Sequence, residues 1–480
     1  MLKKNMYPFY RVSARWVDPR HLPITKKDII NRELENKVPT TYSPLNRHYG
    51  FFLNSAKIYV KNMLRYGKIF SVYRGRFFIV FVFSPQGAFE VLASKQKSFM
   101  KGPLWGRARR LLGNGLLVSE NPDHFIYRRM TMSSFDHKKL VSMSHKMLDI
   151  VTNKVNELKN NTKEIEVRSE INSLALDVVS KCVFGIDVKN DSELIKDQLT
   201  ISINAIDRTQ NPALTRFESR DIPYFRNFAN STIFMYEFIE KVYEDKLKNN
   251  LIGDDLLSTY INNIDEDGNK MSKHQILDEM LTILLAGFES TSNTLIWAIA
   301  YLNKHPEEYN KLIKESKDIF GSNLSNDELL QRIMSAPVCS NILKETLRLR
   351  PPIWNMPRQA REDVEIDGNF IPKGTLVILN SFVTHRIPEI YPDPESFIPS
   401  RWENDFEKNL PRGAYFPFGE GNRKCTGDQF AMIEMKIILL SMANSFKVKT
   451  YGKFPRGIDR ATYRGAKPLR AKIKNHWLWK

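Results

Sequence analysis

One cysteine stands in a setting that alters its chemistry. Residues 416–431 read F-P-F-G-E-G-N-R-K-C-T-G-D-Q-F-A, and Cys425 falls where a glycine-rich loop enters a helix running through Phe430, Ala431 and Glu434. Backbone N–H groups at a helix N-terminus are unsatisfied and partly positive, which favours a thiolate. Gly419 and Gly421 let the chain turn tightly and approach a flat ligand without a Cβ in the way. Gly427 leaves room for a large planar group over the sulfur, and Arg423 is placed to reach an anionic edge of it. A cysteine at a helix start, taken alone, is more often a core residue.

Two further constellations carry chemistry. A-G-F-E-S-T (286–291) interrupts a long apolar helix. Ala286 and Gly287 are small enough to let that helix pass close to a ligand, and Glu289 and Ser290 set an acid beside a hydroxyl, with Thr291 following. In K-E-T-L-R-L-R-P-P, Glu345 and Arg348 share a helix face; exposed, such a pair contributes only about 0.2–0.5 kcal/mol. The run D-P-E-S-F-I-P-S-R-W then supplies Arg401 and Trp402.

Together these segments resemble a known family. Phe418, Gly421, Arg423, Cys425 and Gly427 fill F-x-x-G-x-R-x-C-x-G, which resembles the haem-binding signature of the cytochrome P-450 family position for position. Glu345 and Arg348 resemble its E-x-x-R helix. Arg401 matches the arginine that completes a buried Glu-Arg-Arg network bracing the cysteine loop, although Trp402 stands where Phe is usual and Ser400 where Glu is usual. Residues 286–291 resemble the A-G-x-D/E-T-T oxygen-binding stretch, with Ser290 at the usual threonine. Serine keeps the hydroxyl and loses the methyl that restricts its rotamer. The motifs occur in the family's order, beginning with G-N-G-L-L-V-S-E (113–120), and the resemblance covers nearly the whole chain.

The resemblance implies a mainly α fold with small β-sheets, as one domain over residues 1–480 whose first 50 residues are variable and lack a membrane anchor. It implies haem b as cofactor and Cys425 as the axial ligand of its iron. His124 and Arg128 (in P-D-H-F-I-Y-R-R), Arg358 (in N-M-P-R-Q-A) and Arg423 become partners for the propionates, which need cationic or hydrogen-bonding groups. Phe418, Gly419 and Gly427 on the sulfur side, and Ala286 and Gly287 on the oxygen side, complete the cofactor site. Glu289, Ser290 and Thr291 become the catalytic set, relaying protons with water. The implied reaction inserts one oxygen atom from dioxygen into a hydrophobic organic substrate, with fatty acids, hydrocarbons and terpenoid- or steroid-like compounds as candidates. Apolar residues at 100–118, Leu284 to Phe288 and Ile353 to Met356 are the expected pocket walls. No flavin or nicotinamide fingerprint extends the chain, so a separate ferredoxin, flavodoxin or flavoprotein reductase is expected to bring electrons, with Lys424 among the residues that would meet an acidic donor. Two other readings compete: a peroxygenase or hydroperoxide isomerase, and a haem-based sensor or carrier. Retention of the acid–hydroxyl pair favours dioxygen activation over both.

Secondary structure must bring these motifs together. I-F-S-V-Y-R-G-R-F-F-I-V-F-V-F predicts a β-hairpin turning at Arg74-Gly75-Arg76. Helical periodicity follows over Lys138 to Leu158, Glu170 to Phe184 (with Ser169 as N-cap), Ser231 to Asn249 and Ser272 to Asn303. Residues 351–424 are proline-rich, with a short strand at Thr375 to Asn380, and a last helix follows Cys425. Met280 to Leu302 is nearly long enough to cross a bilayer. However, Glu289 at its centre would cost about 2.5–3.5 kcal/mol, so a core helix is expected.

Composition sets outer limits. In 480 residues, 72 Lys and Arg face 54 Asp and Glu, a net +18. That excess suits an anionic partner or surface, but the lysines are scattered, as on solvated faces. No zinc-finger or RNA-binding signature accompanies them, so nucleic acid is not expected. Cys182 and Cys339 sit in apolar contexts, and no C-x-x-C pair exists. A reducing, cytoplasmic setting fits, with peripheral membrane association left open. The N-terminal M-L-K-K-N-M-Y-P-F-Y has no apolar run of anchor length, and no cleaved segment is expected.

Overall fold

Aromatic and β-branched residues in I-F-S-V-Y-R and F-F-I-V-F-V form β1 (Ile69–Arg74) and β2 (Phe77–Val82), antiparallel with Ile69 opposite Val82. The structure is a computed structural model describing residues 24–31, 38–39 and 56–474, apart from 75–76, 107, 162, 189–190, 210–222, 252, 254, 263, 265–267, 269 and 461. The expected turn at 75–76 and most of the variable first 50 residues therefore lie outside the described residues. With β3 (Phe99–Met100), β5 (Asn355–Ala360) and β8 (Leu376–Asn380), the hairpin makes a five-stranded sheet ordered β1-β2-β8-β5-β3. Its β2–β8 pair is parallel and β8–β5 antiparallel. The smaller sheets are β4 (Ile165–Glu166) with β12 (Arg470–Lys474) and β9 (Lys447–Thr450), β6 (Val364–Ile366) with β7 (Asn369–Ile371), and β10 (Gly457–Asp459) with β11 (Tyr463–Gly465).

Helices carry the rest. Those needed below are α1 (Ala56–Tyr66), α2 (Asp123–Met132), α3 (His137–Lys159), α4 (Val167–Val183), α5 (Ser192–Thr209), α6 (Pro223–Lys248), α7 (Lys273–Lys304), α8 (Pro306–Phe320), α9 (Pro337–Leu349) and α10 (Asp428–Ser445). Two boundaries differ from expectation. Glu166, not Ser169, caps α4 by accepting from the backbone of Arg168 and Ser169, because a carboxylate there meets two orphan N–H groups at once. Helix α6 starts at Pro223, eight residues before the expected Ser231; Pro is pre-set for a first turn.

Helix α7 is buried along most of its length and packs on α4 and α9, with Ser272 as N-cap. Long and apolar enough to span a membrane by composition, it is instead 72% buried in its most apolar window. Its residues join α3, α4, α9 and α10 in the main core, while the five-stranded sheet anchors two smaller cores. Cys182 and Cys339 are both buried, as expected.

Candidate active site

The cysteine loop is held at both ends. Cys425 N–H donates to Phe418 O at 2.8 Å, closing the loop on itself, and Phe416 N–H donates to His385 Nε2 at 3.0 Å. Gly421, at φ +69, presses onto Leu92 and Ala93, where a Cβ would meet Leu92 O at 2.1 Å. That close approach requires glycine. Gly419 also has positive φ, whereas a Cβ at Gly427 would meet nothing, so the space beside that residue is open. Phe418 packs against the main core.

Cys425 is solvent-accessible while other protein groups crowd around it, as at the wall of an open cavity. Burial pushes its thiol above the ordinary value, opposed by the Gly427 N–H and by the charges of Arg128 and Lys424. A coordinated metal would displace that proton outright.

Basic side chains crowd one edge of the cavity. Arg423 donates to Ser119 O at 2.9 Å and to Glu120 Oε2 at 2.8 Å. Arg128 donates to Lys424 O at 2.6 Å, locking α2 to the loop. Burial and the neighbouring Arg423 bring Arg358 down to about 10. Burial, Arg423, Lys101, Arg128 and Arg358 bring His124 down to about 3, which leaves it neutral. Lys101, buried against Trp105, is pushed well below the lysine range by burial and by Arg358 and Arg423. Glu120 is the carboxylate among them. Buried charge of one sign is costly unless compensated, and a haem brings two carboxylates. The residues present therefore fit a haem: Arg423, Arg358 and Lys101 would take its propionates and Cys425 would take its iron. Lys101 and Glu120 belong to the site, and a lysine ahead of Gly-Pro carries no motif that would have revealed it.

On α7, the residues of 286–291 separate by direction. Ala286 is exposed, and Ser290 Oγ, also accessible, donates to Ala286 O at 2.7 Å. Gly287 faces α4, where a Cβ would lie 2.8 Å from Val179 Cγ2, so its smallness serves helix packing and not a ligand. Glu289 is turned away and buried; its Oε1 accepts from Thr462 Oγ1 and Asn293 Nδ2, both at 2.9 Å. Thr291 is buried toward Glu434 of α10, whose carboxyl is pushed well up by burial. Of the expected catalytic set, Ser290 alone is accessible.

The expected pocket walls divide similarly. Ile353 is exposed, whereas Phe288, Leu111 and Leu112 belong to the main core, Met356 to a sheet core, and Trp354 packs on Tyr59 with its indole N–H bound to Arg460 O. Lys424 pairs with Asp428 at 2.6 Å.

Behind the loop, Glu345 and Arg348 are fully buried and joined by two hydrogen bonds of 2.8 Å. Arg401 stands 3.6 Å from Glu345, and Arg348 also donates to His385 O, Pro394 O and Ser396 O. Because His385 receives Phe416 N–H, the network reaches the cysteine loop itself.

This geometry has counterparts in known proteins. The family model for cytochrome P450 matches residues 45–473. Cyclooctat-9-en-7-ol 5-monooxygenase of Streptomyces melanosporofaciens is 28% identical over 354 residues, covering 73% of this chain and 76% of its own. Pentalenene oxygenase of Streptomyces avermitilis is 27% identical over 362 residues, covering 75% and 79%. Among solved structures, the haem domain of cytochrome P450DA superposes with a TM-score of 0.80 at 21% identity, over 92% of this chain and 98% of that one. A retinoic acid-bound cyanobacterial protein, CYP120A1, gives 0.78 at 23%, over 92% and 99%. A cavity floored by a cysteine thiol and edged by surplus cations is what a haem would occupy, and the match over nearly the whole chain accords with it: the chain belongs to the cytochrome P450 family and is a monooxygenase that carries haem b.

Proposed function

We propose that this single-domain enzyme inserts one oxygen atom into a hydrophobic organic substrate, drawing electrons from a separate donor protein. The observation that carries the reading is the accessible Cys425 beside a crowd of buried basic side chains, Lys101, Arg358 and Arg423. When bound, haem supplies the dioxygen chemistry. Cys425 would hold its iron, with the Gly427 N–H tempering the thiolate charge. Arg423, Arg358, Arg128 and Lys101 would hold the propionates by charge, and neutral His124 would do so by hydrogen bonding. Ala286 keeps the exposed side of α7 thin.

Ser290 is the group that moves a proton. Its hydroxyl hydrogen is parked on Ala286 O, which leaves its lone pairs to accept from water and lets it turn to donate. Glu289 stands behind it as the acid that water could reach once its hold is loosened. Exposed Ile353 supports an apolar substrate, as do relatives named for cyclooctat-9-en-7-ol and pentalenene, both unsaturated hydrocarbon skeletons by name.

The test is a screen of fatty acids, hydrocarbons and terpenoids against the haem-loaded ferric protein, following the Soret shift caused by loss of the axial water. Binders are then turned over with a reductase system. Product that forms with peroxide alone, and none with reductant and dioxygen, would replace this reading by a peroxygenase.

A further inference from the structure

A cleft of about 320 Å³ lies where the last turns of α7, the start of α8 and strand β9 meet. Neither the cysteine loop nor residues 286–291 line it. Lys304, Lys447, Lys449 and Lys453 do, together with the apolar Leu302 and Phe454, and no acidic residue lines it among the described residues. The acids in the neighbouring first turn of α8 are engaged elsewhere, Glu307 with His305 at 3.4 Å and Glu308 with Lys311 at 2.7 Å. Bonds between elements fix the walls. Asn303 Oδ1 of α7 accepts from Thr450 N–H, and Tyr309 OH of α8 accepts from Val448 N–H, both at 3.0 Å, so β9 is pinned to both helices. Phe454 is held against Tyr301 and Trp297, with ring centroids at 5.0 and 5.8 Å.

The adjoining strand adds to the charge. In the antiparallel β9–β12 pair, Lys449 stands opposite Lys472 and Lys447 opposite Lys474. Alternate residues share a face of a strand, so these lysines lie on one face of the pair, while Val448 and Ala471 are buried on the other. Like charges directly opposite one another destabilise a sheet, and an anion bound beside them would relieve that repulsion. A cleft of one sign of charge with low-dielectric walls concentrates counter-ions. Lysine ammoniums, compact charges with three donors on flexible stems, suit a phosphate group without imposing a fixed fork geometry on it. The volume falls at the small end of the range for small-molecule sites, about 300–1,000 Å³.

We propose that this cleft binds a soluble phosphate monoester with a small apolar or aromatic body, taking the phosphate among Lys304, Lys447, Lys449 and Lys453 and the body against Leu302 and Phe454. The site is separate from the cysteine cavity, and it stands or falls independently of the monooxygenase reading.

The experiment titrates the haem-loaded protein with phenyl phosphate at fixed ionic strength and follows the heat of binding. Phenyl phosphate is expected to bind saturably at a single site, and inorganic phosphate more weakly. Combined Lys449→Gln and Lys453→Gln should weaken binding severalfold. Phe454→Leu, which keeps an apolar side chain in place, should narrow the preference for phenyl phosphate over inorganic phosphate. Combined Lys138→Gln and Lys373→Gln, at exposed lysines that do not line the cleft, should leave binding unchanged. Without ligand, Lys449→Gln should melt no lower than the wild type, since it removes repulsion from Lys472. Absence of saturable binding to the wild type overturns the proposal. Equal weakening in the two double variants does the same, because it would reduce the effect to net charge. A third arm sediments the protein with phosphatidylcholine vesicles containing phosphatidic acid. Capture that depends on Lys449 and Lys453, with no binding of phenyl phosphate, would assign these lysines to a lipid surface and likewise overturn the proposal.

Discussion

The indole N–H of Trp402 donates to Glu345 Oε2 at 2.9 Å. The residue that replaces the family's usual phenylalanine thus adds a donor to the buried network behind the cysteine loop. Glu345 is fully buried and already receives Arg348 Nε and NH2 and Ile398 N–H, while Arg401 stands off at 3.6 Å. The indole therefore complements an arginine contact that is longer than a hydrogen bond.

Trp402→Phe is expected to fold and bind haem, yet to lose about 1–3 kcal/mol in stability, the cost of removing one donor from a buried carboxylate. Glu345→Ala should cost more, about 3–5 kcal/mol, because it leaves Arg348 buried without its counter-charge. Denaturant unfolding of the haem-loaded protein measures both. An unchanged midpoint for Trp402→Phe would mean that the indole bond contributes nothing net.

Cys425→Ser should still fold, since the backbone bond from residue 425 to Phe418 O does not involve the side chain. It should lose the long-wavelength absorption of the reduced carbonyl complex that a thiolate ligand confers. Retention of that band would remove Cys425 as ligand.

Lys101→Met separates the haem-free from the haem-loaded protein. Without haem, Lys101 is buried among Arg358 and Arg423, so an apolar replacement of similar shape should raise the melting temperature. With haem, the same change removes a propionate partner, and haem transfer to apomyoglobin should speed up severalfold. A haem-transfer rate that is unchanged or slower would show that Lys101 does not face the propionates.

Glu279 gives a pH signature. Burial raises its carboxyl to about 8 from 4.5, even though Leu116 N–H at 3.1 Å and Gln275 Nε2 at 2.9 Å favour the charged form. Between those values the unfolded chain has lost the proton that the folded chain keeps, so this group costs stability increasingly as pH rises from 4.5 to 8 and constantly above. Glu279→Gln should match the wild type near pH 4 and exceed it at pH 8, by as much as on the order of 4 kcal/mol. Unfolding free energies measured at both pH values check the sign. A variant less stable at pH 8 would mean that Glu279 is ionised in the fold.

Several expectations were local enough to be legible in the sequence. The hairpin, the long helix and the order of motifs follow from periodicity and from residue types at fixed spacing. The tight turn of the cysteine loop was legible in its glycines, although the close approach of Gly421 to Leu92 and Ala93 was not. The α4 cap was misplaced because Glu166 and Ser169 both lie near the helix start, and only the bonds to Arg168 and Ser169 N–H decide between them. Lys101 was missed because its role depends on Arg358 and Arg423, which are more than 250 residues away.

The sequence by itself determined the family and the presence of an acid beside a hydroxyl on the long helix. Tertiary structure alone decided where each of those side chains points. Consecutive residues on a helix are rotated by about 100°, so Glu289, Ser290 and Thr291 face three different surroundings despite standing together in the chain. Packing leaves Ser290 accessible and gives Thr291 to Glu434 and Glu289 to a hairpin that the sequence places far away.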